Sequence, residues 1–310
     1  MMKNIIIFFV SMTMVVLLGC WVNNYLFRLS DSNQVYELNT YFYMENNGKK
    51  VIHGDNLNYE DCLNKEGNIE LKIKIGKHDN RREVFELSVL NNYFQEKFRL
   101  KSNSNMMESY RIELEENESE KEFFIILNPN QFQYENRLVF TLRQDTEVYS
   151  LENELVRDSN TINVVINICC KKREKKNIEY DVIRAVDERK MQESSVFHIS
   201  CLNREDKTEI KVQPEEEIKM CLDVGMNQDT QKMIMWCNLN SNQVRIEGLS
   251  FLVLNISKGK KGKINFTIAA PKEPGLYELE VLGQPIDENN KKNKNIYQII
   301  SAKRYTIKVE

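Results

Sequence analysis

Ile69-Glu70-Leu71-Lys72-Ile73-Lys74-Ile75 alternates apolar and charged residues without a break. Side chains of a strand repeat with a period of two. Ile69, Leu71, Ile73 and Ile75 therefore share one face, and Glu70, Lys72 and Lys74 share the other. One buried and one wet face is the mark of an antiparallel sheet. A parallel sheet covered on both sides reads instead as a continuous apolar run.

The same reading extends outward from this stretch. Upstream, Tyr36, Leu38, Thr40 and Phe42 alternate with Glu37, Asn39 and Tyr41. Downstream, strands are expected at 83–90, 97–100, 110–114, 122–127, 137–142 and 161–168. Ser102-Asn103-Ser104-Asn105 and Asn128-Pro129-Asn130 supply the turn chemistry between them. A second set is expected at 195–201, 209–212, 217–224, 232–237, 244–256, 263–269, 276–282 and 296–309. Gly259 to Gly262 is a basic hairpin turn, Pro271 to Gly275 a rigid reversal, and 287–295 a polar loop. Closely spaced short strands separated by turns point to β-sandwiches.

The chain has 310 residues, enough for about two domains. The basic run Cys169-Cys170-Lys171-Lys172-Arg173-Glu174-Lys175-Lys176 marks the boundary and reads as solvated linker. The domains are then an anchor or signal at 1–28, a first sandwich at 29–170, a linker at 171–194 and a second sandwich at 195–310. Residues 179–193 are the best helix candidate in the chain, and read equally well as the first strand of the second domain.

Lys3 is followed by an uncharged run from Ile5 to Val22. Three readings stay open: a cleaved secretory signal, an uncleaved single span with its N-terminus inside, and a lipoprotein signal. Leu17-Leu18-Gly19-Cys20 resembles the lipobox of bacterial lipoproteins. That resemblance implies acylation of Cys20 and a lipid anchor on the extracytoplasmic face of the cell membrane. All three readings place the rest of the chain beyond the cytoplasm.

Pro274-Gly275-Leu276-Tyr277-Glu278-Leu279-Glu280-Val281 resembles the penultimate strand of immunoglobulin-like sandwiches, with Tyr277 as the tyrosine corner. Cys221 and Trp236, upstream, resemble the core pin of that family. Leu279 stands two residues after the corner, where the family has a Cys. The resemblance therefore implies no inter-sheet bridge, with Cys221 packed as a small buried hydrophobe. The first strand set repeats the order strand, Pro turn, strand, last strand. The fold class expected is all-β: two tandem immunoglobulin-like sandwiches after an N-terminal hydrophobic segment.

Chemistry is sparse. There are three His, and His53, His78 and His198 have no ligand spacing to each other or to any Cys. No CxxC pair, nucleophile elbow or phosphate loop occurs. The acidic runs 113–120 and 215–217 lack the ordered spacing of a calcium loop. Apart from Cys20, the cysteines Cys62, Cys169, Cys170, Cys201, Cys221 and Cys237 read as buried thiols, with Cys201–Cys237 a possible bridge. A net charge of −3 offers no field for nucleic acid. No catalytic, cofactor, metal or small-molecule site is expected. The function expected is a non-enzymatic, membrane-anchored protein that binds a protein or cell-envelope partner. A structural spacer and an envelope hydrolase are the alternatives.

Overall fold

The computed structural model describes residues 40–78, 80–144, 161–171, 182–191, 196–202, 209–225, 232–257, 259–286, 299–302 and 304–310. The N-terminal segment with Cys20, most of the basic run after Lys171, and the 287–295 loop lie outside these residues. Among the described residues, apart from two three-residue 3-10 turns, the regular structure is strand.

The first set comprises β1 (Thr40–Asn46), β2 (Lys49–Val51), β3 (Asn56–Asn58), β4 (Ile69–Lys77), β5 (Glu83–Asn91) and β6 (Phe94–Gln95). It continues with β7 (Phe98–Leu100), β8 (Ser109–Leu114), β9 (Glu120–Leu127), β10 (Glu135–Gln144) and β11 (Thr161–Cys169). One sheet has the order β2-β1-β4-β9-β7. Its partner has the order β3-β11-β10-β5-β6, with β8 also on β5. The alternation at 69–75 holds: Ile69, Leu71, Ile73 and Ile75 are fully buried. They meet Phe85, Leu87, Val89, Phe140 and Leu142 of the facing sheet in one core.

The second set comprises β12 (Val182–Arg184), β13 (Val186–Lys190), β14 (Val196–Cys201), β15 (Glu209–Val212), β16 (Glu217–Gly225) and β17 (Lys232–Leu239). It continues with β18 (Asn242–Val244), β19 (Leu252–Asn255), β20 (Lys260–Ala269), β21 (Gly275–Ile286), β22 (Ile300–Ser301) and β23 (Tyr305–Val309). One sheet runs β12-β19-β17-β21-β23-β15, with β18 on β17 and β22 on β21. The other runs β13-β20-β16-β14. The helix candidate at 179–193 is not helical where it is described. Val182–Arg184 pairs with β19 and Val186–Lys190 with β20, so the second strand set begins inside the stretch read as linker. The expected strand at 244–256 is broken by a turn, with positive φ at Glu247 and Gly248.

The two sandwiches share one wiring diagram. β4 pairs β9 as β16 pairs β20, and β5 bonds β10, β6 and β8 as β17 bonds β21, β18 and β19. The edge strand β3 runs parallel to β11 as β15 runs parallel to β23. The registers place Leu138 opposite Asn91 and Leu279 opposite Leu239, so 138 corresponds to 279 and 91 to 239.

The core pin expected from the immunoglobulin resemblance is corrected by one residue of register, although Cys221 is buried as expected. In β16 the core takes Ile218, Met220, Leu222 and Val224, and in β17 it takes Met233, Met235, Cys237 and Leu239. Cys221 and Trp236 therefore point away from that core. The tyrosine corner forms: Tyr277 Oη donates to the carbonyl of Glu273 at 2.9 Å. Leu279, in the place of the missing Cys, is fully buried in the core.

Candidate functional site

Trp236 is fully buried in a third apolar cluster, between the sandwiches. Leu90, Tyr93, Val139 and Val165 come from the first sandwich, and Ile234, Trp236, Phe251, Val253 and Leu282 from the second. These residues occupy the strand faces turned away from the two sandwich cores. The β3-β11-β10-β5-β6 sheet thus stacks on the β12-β19-β17-β21-β23-β15 sheet. The molecule from Phe42 onward is four sheets deep, and its two inner sheets are covered on both faces. β5 and β17 are accordingly buried along nearly their whole length, whereas β4 alternates over most of its length.

Two hairpin turns build this joint. Asn92-Tyr93 and Asn240-Ser241 each place two consecutive non-Gly residues at positive φ, the primed turn that suits strand twist. Each Asn is held identically. Asn92 Oδ1 accepts from Arg137 N at 2.9 Å, and Asn240 Oδ1 accepts from Glu278 N at 2.8 Å. Three residues past each Asn stands a Gln. Gln95 N donates to Gln243 Oε1 at 2.9 Å, and Gln243 N donates to Gln95 Oε1 at 2.5 Å. Their amides also behave alike: Gln95 Nε2 donates to Glu108 O, and Gln243 Nε2 donates to Ser250 O. A second exchange follows. Tyr93 Oη donates to Gln284 Oε1 at 2.9 Å, and at the corresponding positions Arg143 Nε donates to Ser241 Oγ at 3.0 Å. Residue i meets j while the counterpart of j meets the counterpart of i. This is the reciprocity of an isologous dimer interface, realised inside one chain.

The flanks of the joint differ. On one, Tyr93 packs on Trp236 and Phe251 with ring centroids at 5.6 and 5.9 Å. Burial pushes the Tyr93 hydroxyl pKa up, which keeps it a neutral donor. On the other flank, Arg143 bonds Glu86 at 2.9 Å and Glu278 at 3.1 Å. Arg304 bonds Glu278 at 2.8 Å, Glu280 at 2.9 Å, and Thr161 Oγ1. Two guanidinium groups thus hold three carboxylates along the joint, and the Arg143–Glu278 pair and the Arg304–Thr161 hydrogen bond cross it.

Acid-base chemistry finds little purchase elsewhere. On the outer face of β1, β4 and β9, Glu45 and Glu122 are tied to Lys72 and Lys74. Hydrogen bonds from both lysines hold the Glu122 carboxyl down at about 2. Glu96, only 5% exposed, is the contrary case: burial raises it to about 7 against a hydrogen bond from Asn91. A shallow depression is lined by Glu45, Asn46, Asp61, Cys62, Asn64, Glu70 and Lys72 among others. Burial pushes the Cys62 thiol up to about 12, so it carries no thiolate there. Burial likewise raises Cys237 and Cys221. All six described cysteines are free, including Cys201 and Cys237. His53 Nδ1 accepts from Val165 N at 3.2 Å, and His198 lies opposite Asp223 on an exposed sheet face. Among the described residues, no three His, Cys, Asp or Glu side chains gather into a metal-holding group. No described helix is long and apolar enough to cross a membrane.

Residue-type reasoning passed over the joint. Arg143, Glu278 and Arg304 carry no spacing signal. The trace that could have been found is Asn-x-x-Gln at both 92–95 and 240–243, each following a long strand.

No family model matches the sequence, and no curated protein matches it either. Among solved structures, the chain is similar to the CARDB domain of a Pyrococcus furiosus protein. Identity is 12%, over 44% of this chain and 95% of that one, with a TM-score of 0.25. It is also similar to the C-terminal domain of the Streptococcus pyogenes antigen I/II-family protein AspA. There identity is 7%, over 87% of this chain and 99% of that one, with a TM-score of 0.24. At TM-scores this low, neither likeness bears on what the chain does.

Proposed function

We propose that the protein is a non-enzymatic, membrane-anchored, extracytoplasmic module that binds a protein or cell-envelope partner through its sandwich surfaces. The observation that carries this reading is the face-to-face joint. A spacer gains reach by stringing domains end to end. Stacking four sheets, each about 10 Å from the next, gains breadth and rigidity instead. It fixes the loops and outer sheets of both sandwiches in one frame, as a composite binding surface needs. The enzyme reading is disfavoured because the carboxylates that approach one another are tied up by Lys or Arg. A carboxylate held in such pairs is a poor proton carrier.

The anchor rests on Lys3, the uncharged run to Val22 and the lipobox-like Leu17 to Cys20. An acylated Cys20 with two chains would give stable attachment. Two measurements test the reading. Wild-type chain grown with labelled fatty acid is expected to take up label, and Cys20→Ala to take up none. An unlabelled wild type whose Cys20→Ala variant stays membrane-bound would establish the single span instead. Cross-linking in intact membranes should then capture a stoichiometric partner; its absence would favour the spacer.

A further inference from the structure

We propose that the β13–β20 edge of the second sandwich rests on an anionic bilayer surface, its cations on the lipid phosphates and its valines at the headgroup boundary. The register of this edge sets like charges opposite one another: Arg189 faces Lys261, and Lys190 faces Lys260. Directly opposed like charges destabilise a strand pair. Two such pairs in succession are an arrangement that fold stability alone does not select. Neighbouring acids relieve it in part. Glu188 reaches Lys260 at 3.6 Å, and Asp223 lies opposite Lys263. Among the described residues, Arg189, Lys190 and Lys261 have no carboxylate within ion-pair distance, although Asp187 stands on the same strand. The outer sheet of the first sandwich is the contrast, since Lys72 and Lys74 there are each paired with Glu45 and Glu122.

The layout of the charges selects the occupant. Opposed residues share a face and successive ones alternate, so Arg189 and Lys261 lie on one side of the ladder and Lys190 and Lys260 on the other. The two pairs diverge around the edge. A single small anion cannot meet both, whereas a plane of headgroups can. Val186, opposite Lys263, is 54% exposed, and Val182 on β12 is 44% exposed. A bulge between Val186 and Arg189, with Asp187 at positive φ, bends the edge between the apolar and the basic residues. Cations beside exposed apolar side chains are the pattern of an interfacial contact. The basic groups take anionic headgroups, and the apolar ones enter the boundary beneath them. The inference goes beyond the anchor: Cys20 or a span would hold the chain at a bilayer, and this edge would lay the second sandwich against it.

The test uses the full chain reconstituted in phosphatidylcholine vesicles, with and without phosphatidylglycerol, and the photo-reactive residue p-benzoylphenylalanine in place of Val186. With phosphatidylglycerol present, irradiation is expected to add the mass of one phospholipid at that position. Pure phosphatidylcholine should give no adduct. Nor should the anionic vesicles at about 1 M salt, where the screening length is about 3 Å. The same probe at Phe124, exposed on the outer sheet of the first sandwich, should give none. The double variant Arg189→Gln with Lys261→Gln should lower the adduct about tenfold, since each cation near an anionic surface contributes about 1 kcal/mol. It removes a repulsion within the ladder, so its denaturation midpoint should not fall. Absence of the adduct, equal yield in pure phosphatidylcholine, equal yield at Phe124, or an adduct that survives the double variant would each overturn the proposal. None of these outcomes bears on the anchor, which is read from label at Cys20.

Discussion

The first and second sandwiches have the same wiring and fill the same joint differently. Ser88 corresponds to Trp236, Glu86 to Ile234, Val139 to Glu280 and Val165 to Arg304. What they share is backbone chemistry: an Asn that closes a primed turn and a Gln that crosses to its counterpart. What they do not share is the packing around it. In a true homodimer each contact occurs twice, and a charge placed near the axis meets its own kind. Fusing the halves lifts that constraint. Arg143 of one sandwich can face Glu278 of the other, leaving the opposite flank apolar. The sandwich cores diverge too. Where the first has Leu142, the second has Gly283, at which a Cβ would lie 2.8 Å from the Phe197 ring. The larger aromatic from β14 takes the volume that Leu fills in the first sandwich.

Substitutions at corresponding positions probe this comparison. Trp236→Ala should have the largest effect, about 3–5 kcal/mol lost in chemical denaturation. Its indole nitrogen makes no hydrogen bond, so its contribution is burial. Ser88→Ala at the corresponding position should cost under about 1 kcal/mol. Equal costs at the two sites would mean that Trp236 does not anchor the joint. Arg304→Met should lose about 3 kcal/mol, because the buried Glu280 would lose the guanidinium that pairs it and Glu278 would be left to Arg143. Lys72→Met on the wet outer face should lose no more than about 1 kcal/mol.

Glu96 gives a pH test confined to the first sandwich. Its folded pKa is raised to about 7, so between pH 4.5 and 7 the folded state binds more protons than the unfolded chain. Stability from this group therefore falls as pH rises through that window. Glu96→Gln should stabilise by about 2 kcal/mol at pH 8 and by nothing at pH 4, measured as denaturation midpoints. A gain that is the same at both pH values would refute the assignment. The exchange itself gives a test of additivity. Gln95→Ala and Gln243→Ala should each cost about 1 kcal/mol, and the pair should cost less than their sum. Strict additivity would mean that the two amides act separately.

The strands were legible because one-sided burial writes itself into period-two alternation, as at Ile69 to Ile75. The Tyr277 corner was legible because its turn chemistry is local. The register of β16 and β17 was not. Met233-Ile234-Met235-Trp236-Cys237 is apolar on both faces, so alternation cannot say which side meets which core. That continuous run was itself the sign of a sheet covered twice, and the joint residues are the ones it hid. The short strands at Val182–Arg184 and Val186–Lys190 were obscured for a different reason. They are edge strands with exposed residues, fixed by pairing with β19 and β20 rather than by their own pattern.

By itself, then, the sequence determined an all-β chain in two strand sets behind an apolar N-terminal run. Local alternation, turn residues and composition act over a few residues and need no partner. The tertiary structure alone decided that the sets duplicate one wiring diagram, stack face to face and exchange Gln95 with Gln243. Those relations join residues about 150 positions apart in the chain, where only packing and hydrogen-bond geometry select the pairing.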